Sequence, residues 1–206
     1  MIESVSKNTI VPALIFICLA SCGPSTKIVD SWRDPAVVVN TSQLNKFVVA
    51  ALLKNEGVRK RTEDLMASYY PGKAVQSYKE LGSSELKENE EFYNKKLKQE
   101  GFDGIVVMRI VKVDKDQRYV PGSYPVYYRT WRGYYATVWP QYYDPGYFTT
   151  DKTYYVEVNV YSVTDNKLVW SGTTSTINPS GNTELFDSVV KAVDKRMKKE
   201  GFIKPA

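Results

Sequence analysis

Residues 46–53 read KFVVAALL, an unbroken apolar run of strand length. A strand with one wet face would alternate, so this run asks for cover on both faces and a central place in a sheet. The segments after it change period. In residues 56–70, EGVRKRTEDLMASYY, Val58, Leu65, Met66 and Tyr69 fall at helical spacing, with Arg59 to Glu63 and Lys60 to Asp64 as i,i+4 pairs expected on the outer face. GKAVQSY (residues 72–78) reads as a short second strand. Asn89 stands where it can cap EEFYNKKLKQ, whose two glutamates suit the first turn of a helix. GIVVMRIVKV (104–113) is a third strand. TYYVEVNVYSV and KLVWSGTTSTI form a hairpin about Thr164, Asp165 and Asn166. A last helix over residues 183–200 aligns Phe186, Val189, Val190, Val193 and Met197.

The order β-α-β-α-β-β-β-α predicts one α/β (α+β) domain, a single mixed sheet of about five strands packed with three helices, over residues 46–206. Two helix ends share a stop signal, KKLKQEGF at 95–102 and KRMKKEGF at 195–202. Each has cations in the last turn, a Gly where a left-handed residue is wanted and a Phe beyond it. The flanking segments show no common period, so this is shared capping chemistry and not a duplicated domain.

The amino-terminal end carries an address. Residues 10–21, IVPALIFICLAS, follow Lys7 and match the hydrophobic core of a secretory signal, which predicts a cleaved segment over 1–21. The run closes on Leu19, Ala20, Ser21 and Cys22, which resembles the bacterial lipobox, and that resemblance implies that the Cys22 thiol takes the diacylglycerol. Cys18 lies in the discarded segment, so the remaining chain keeps no free thiol for a disulfide or a nucleophile. Several acyl chains anchor stably where one does not. Gly23 stands where an Asp would imply inner-membrane retention, so the expected location is the outer membrane, facing the periplasm. Residues 22–45 read as a tether with one extended stretch around 37–39, Trp32 packing back on the domain.

Composition narrows the chemistry. The chain has no histidine, which removes the commonest general base and metal ligand. It shows no phosphate-cradling glycine loop, no G-x-S-x-G elbow and no paired metal ligands, and Asp114, Lys115 and Asp116 read as a polar strand end. No catalytic residue, cofactor or metal is expected, and the chain is read as non-enzymatic. The net charge of +5 favours anionic partners, but a periplasmic anchor argues against nucleic acid.

The segments SWRDP (31–35), KFVVAALL, RKRTEDLMASYY, AVQSYKEL, GFDGIVVMRIV, YYVEVNVYSVTDNKLVWSGTTS and KEGFI together resemble a family of bacterial envelope lipoproteins. The strand and helix order is also similar to the amino-terminal domain of TolB and to the core of curli-secretion lipoproteins, which work by assembly and binding. The resemblance supplies no catalytic residues. For Arg61, Glu63, Asp64 and Trp170 it implies packing or partner contact, with packing the reading for Trp170.

One stretch falls outside that resemblance. Residues 119–150 form an insert between the third strand and the hairpin, and residues 124–143 alone hold two of the four tryptophans and seven of the sixteen tyrosines. A loop of this length inside a compact domain is usually functional or disordered, and its aromatic content opposes disorder. Arg132 and Gly133 can turn VYYRTW back on YYATVW as a hairpin. Tyr127, Tyr128, Arg129, Trp131, Arg132, Tyr134, Tyr135 and Trp139 are the candidate partner-binding residues, since Tyr and Trp combine an apolar face with a polar tip and Arg adds cation-π contact. The expected partners are the membrane through the lipid anchor and an envelope protein or cell-wall polymer, with oligomerisation left open. The competing readings are a twisted hairpin that only covers the sheet, a structural subunit of a membrane-associated oligomer, and a hydrolase acting on cell-wall material through two carboxyl groups roughly 5 to 10 Å apart.

Overall fold

The computed structural model describes residues 25–81, 90–120, 130 and 147–204. In chain order the elements are β1 (Ser25–Arg33), β2 (Val39–Asn40), β3 (Lys46–Leu52), α1 (Glu56–Ser68), β4 (Ala74–Gln76), α2 (Ser77–Glu80), α3 (Glu90–Gln99), β5 (Phe102–Val120), β6 (Tyr147–Ser162), β7 (Lys167–Ile177), α4 (Asn182–Lys199) and β8 (Ile203–Lys204). Six strands form one mixed sheet in the order β1-β7-β6-β5-β3-β4, and β2 and β8 form a separate two-stranded pair. Strand β3 pairs in parallel with β4 and with β5. Parallel neighbours need crossover connections, which α1 and the α2–α3 segment supply. The rest of the sheet is antiparallel.

Strand β3 is interior and covered on both faces, as its sequence demands. Phe47 and Val49 enter a large core with Met108, Val156, Val158, Trp170, Phe186, Val189 and Phe202 between the sheet and helices α1 and α4. Val48 points the other way into a smaller cluster with Tyr93 and Leu97 of α3 and Phe102. Helix α4 buries Leu185, Phe186, Val189, Val193 and Met197 along one stripe. Both predicted stops form. Gly101 and Gly201 have φ of 77° and 69°, and Phe102 and Phe202 behind them are buried. The N–H of Phe202 donates to Met197 O at 3.0 Å, the six-to-one bond of a Schellman ending.

Three expectations are corrected. Residues 25–33, read as part of a tether, are an edge strand that pairs antiparallel with β7. Its inward side is polar apart from Ile28, so hydrogen bonds do much of the fastening. Thr26 Oγ1 donates to Ser188 Oγ at 2.7 Å, and Ser31 Oγ donates to Glu200 Oε1 at 2.6 Å. Trp32, expected to pack back on the domain, is 50% exposed, because the register shift between Ile28 and Asp30 moves Ser31 and Arg33 into the inward positions and leaves Trp32 outward. Third, Glu63, expected on the outer face of α1, is 0% exposed. Lys60 reaches back to Glu56 at 3.6 Å, and Asp64 accepts from Gln76 and Tyr78. Trp170 is 0% exposed and packs as expected, its Nε1 donating to Glu200 Oε2 at 3.0 Å. A Cβ at Gly172 would sit 2.3 Å from the ring of Trp170, so the strand leaves that position bare to admit the indole.

Candidate interaction surface

Strand β5 outruns its neighbours. Its pairing with β3 ends at Leu52 opposite Arg109, and β7 leaves β6 at Ile177 opposite Thr153. Beyond that line β5 and β6 continue as a two-stranded ribbon, from Lys115 opposite Lys152 to Val120 opposite Tyr147. At about 3.4 Å per residue this stem extends about 20 Å past the sheet. A lone two-stranded ribbon is marginal in water, and this one is fed from the sheet and clamped at its root. Asn178, with φ of 47°, ends β7 there. Its Oδ1 accepts from Lys152 N at 2.7 Å, its own N–H donates to Lys152 O at 2.9 Å, and its Nδ2 donates to Asp151 Oδ1 at 2.8 Å.

Side chains alternate across the stem. One face carries Lys115, Gln117 and Tyr119 opposite Lys152, Thr150 and Phe148. The other carries Asp116, Arg118 and Val120 opposite Asp151, Thr149 and Tyr147. Tyr119 and Phe148 meet with ring centroids 5.3 Å apart in a tilted arrangement. Their outer surfaces stay wet: Tyr119 is 49%, Tyr147 63% and Phe148 70% exposed. On the second face Arg118 pairs with Asp151 at 3.4 Å.

Of the sequence-predicted site residues, Tyr127, Tyr128, Arg129, Trp131, Arg132, Tyr134, Tyr135 and Trp139 lie outside the described residues, as do Leu19, Ala20, Ser21 and Cys22. The structure adds Tyr119, Tyr147 and Phe148 at the base of the same insert.

Two charged nodes hold the body behind this surface. Glu63 Oε1 accepts from Ala51 N at 3.1 Å, Arg59 Nε at 3.1 Å and Ser77 Oγ at 2.8 Å, while Oε2 accepts from Tyr78 N at 3.1 Å. One carboxylate thus ties β3, α1 and the start of α2, with its acceptor sites occupied. A signal for its burial is present in the sequence although the outer-face reading missed it: Glu63 stands three residues before Met66 and shares the apolar face. Arg61, by contrast, is exposed. The second node is Glu200, whose carboxylate meets Ser31, Trp170 and Arg196. Desolvation pushes its pKa up, but those three hydrogen bonds outweigh it and hold the carboxyl below the usual glutamate range.

Other carboxylates are occupied in the same manner. In the groove beside α4, Asp187 accepts from the Tyr69 hydroxyl and from Lys191, and Glu184 accepts from Ser180. Lys96 meets Glu80 at 3.2 Å and Glu100 at 3.8 Å, so both carboxylates share one ammonium. Under residues 37–44 a cavity of about 210 Å³, walled by Val37, Val39, Phe47, Met108, Val193 and Phe202, lies between the sheet and α4. Among the described residues no group of three His, Cys, Asp or Glu side chains can hold a metal ion, and no helix is long and apolar enough to cross a membrane.

No protein-family model matches the chain, and no curated protein matches it. Among solved structures the chain is similar to the PelC dodecamer from Paraburkholderia phytofirmans, at 11% identity and a TM-score of 0.42, the match covering 82% of this chain and 95% of that one. It is also similar to lipoprotein GNA1162 from Neisseria meningitidis, at 12% identity and a TM-score of 0.38 over 75% of this chain and 98% of that one. Similarities this loose carry no assembly state, partner or site across to this chain.

Proposed function

We propose that the chain is a lipid-anchored, non-enzymatic binding or assembly module of the cell envelope, held at the outer membrane facing the periplasm through Cys22, with its Tyr/Trp-rich hairpin as the interaction surface. The observation that carries this reading is the ribbon stem. It leaves the sheet, packs on no helix among the described residues, and keeps Tyr119, Tyr147 and Phe148 exposed. A cover for the core would bury those rings, whereas an interaction surface presents them. The lipobox over Leu19, Ala20, Ser21 and Cys22 supports the anchor.

The test has two readouts on one variant. Replacing Tyr127, Tyr128, Trp131, Tyr134, Tyr135 and Trp139 by Ser is expected to leave the thermal midpoint unchanged and to abolish crosslinking from photoreactive groups placed at Arg129 and Arg132 in living cells. Unfolding of that variant, with no separable loss of crosslinking, would leave the insert as architecture. The structural-subunit alternative draws on one observation, the outer edge of β1, which among the described residues pairs only on its β7 side. The register shift after Ile28 and the charges of Lys27, Asp30 and Arg33 blunt that edge, so it ranks second.

A further inference from the structure

The sheet is asymmetric in a way that concerns the anchor. Ser25, the first described residue, pairs with Ile177, and Ile177 pairs with Thr153. Thr153 is opposite Asp114, where the two-stranded ribbon begins. The chain's amino-terminal entry and the ribbon therefore leave the same end of the sheet, two strand spacings or about 10 Å apart. The β6–β7 turn at residues 163–166 lies at the opposite end.

Reach then decides what the ribbon meets. Cys22 stands three residues before Ser25, and three residues span at most about 11 Å when fully extended. The stem alone extends about 20 Å from the same end. A surface that holds acyl chains on Cys22 is nearer to the sheet than the stem is long, so the stem is pressed along that surface or into it.

The stem's own chemistry fits such a neighbour. Outward along one face come Lys115 opposite Lys152, then Gln117 opposite Thr150, then the ring pair of Tyr119 and Phe148. Like charges directly opposite each other destabilise an isolated ribbon. Among the described residues neither lysine has an acidic ion-pair partner, and both are exposed. Anionic headgroup phosphates would relieve that repulsion, and aromatic rings farther out suit the depth at which Tyr and Phe settle between headgroups and acyl chains.

The geometry points to the lipid surface itself as the partner of the stem, with Lys115 and Lys152 on headgroup phosphates and Tyr119 and Phe148 at the acyl boundary. This inference rests on the anchoring of Cys22 proposed above and goes beyond it by naming the partner of the ribbon's base.

The chain allows a direct measurement, because acylation of Cys22 leaves no other thiol after signal removal. Full-length chain, processed in a lipidating bacterial host, would be placed in vesicles of phosphatidylethanolamine and phosphatidylglycerol, with and without brominated acyl chains. A thiol-reactive fluorophore would report from Phe148→Cys, from Thr150→Cys as a second stem position, and from Asp165→Cys at the far turn. The expected result is that wild-type chain takes up no label, that the stem probes are quenched by bromine and shielded several-fold from aqueous iodide, and that the Asp165→Cys probe shows the reverse. Adding Lys115→Glu and Lys152→Glu should return the stem probes to water. Stem probes as open to iodide as the far turn would overturn the inference while anchoring stands. Shielding from iodide with no bromine quenching would also overturn it, in favour of a protein cover. Wild-type chain that labels at Cys22 and has unmodified mass would remove the anchor, and the inference with it.

Discussion

Glu63 shows how much a single position controls. Four donors from three elements converge on its carboxylate, which is shut off from bulk solvent. Removing one member of a buried ion pair leaves the other charge and its hydrogen-bond donors without partners, which typically costs about 3 to 5 kcal/mol. Glu63→Ala should therefore lower the unfolding free energy by about that much in urea titrations. Asp64→Ala, one residue along but exposed, should cost about 1 kcal/mol or less. Equal effects would show that the node is not what ties α1 to β3. Glu200 makes a pH-dependent case. Its folded carboxyl is held below its unfolded value, so its contribution is present above the usual glutamate range near about 4.3 and is lost as pH falls through the lower folded value. Glu200→Gln should lower the thermal midpoint at pH 7 and flatten its decline between about pH 5 and 3. An unchanged slope would assign acid lability to the other carboxylates.

At the scale of elements, legibility followed the source of each element's stability. Strand β3, the β6–β7 hairpin and α4 are fastened by apolar side chains at regular spacing, and their periods were plain in the sequence. So were the two glycine stops, since a left-handed residue at a helix end leaves a compositional mark. Strand β1 was missed for the opposite reason. It faces α4 with Thr26, Ile28 and Ser31, and a register shift breaks its alternation, so no period survives to be read. Of the candidate surface, the aromatic concentration was legible, but the stem's length was not, because LysAspGln and ThrThrAsp stretches read equally well as loop. The ribbon should be dispensable to the body. Joining Asp114 to Thr153 by an Asn-Gly turn removes the Asn178 clamp and little else among the described contacts. The expected loss is no more than about 2 kcal/mol in chemical denaturation. A chain that fails to fold after this excision would show that the insert covers the core.

For the whole molecule, anchoring and folding should be separable. Among the described residues the first that pairs is Ser25, so Cys22→Ser removes the proposed acylation site without changing any described residue of the sheet. The variant is expected to lose incorporation of labelled fatty acid and to leave the membrane fraction, while its purified domain keeps the wild-type thermal midpoint. Retained lipid would refute the lipobox assignment.

The direction of β1 has a mechanical meaning. Its hydrogen bonds to β7 run across the strand axis, from Ser25 opposite Ile177 to Arg33 opposite Trp170. If Cys22 anchors the chain as proposed, tension applied beyond Ser25 along that axis loads this ladder. It strains the whole ladder at once in shear and cannot peel the bonds one after another. An edge strand with few apolar contacts is in this way suited to bear load, and the body stays folded under a tug that would unzip a strand attached crosswise.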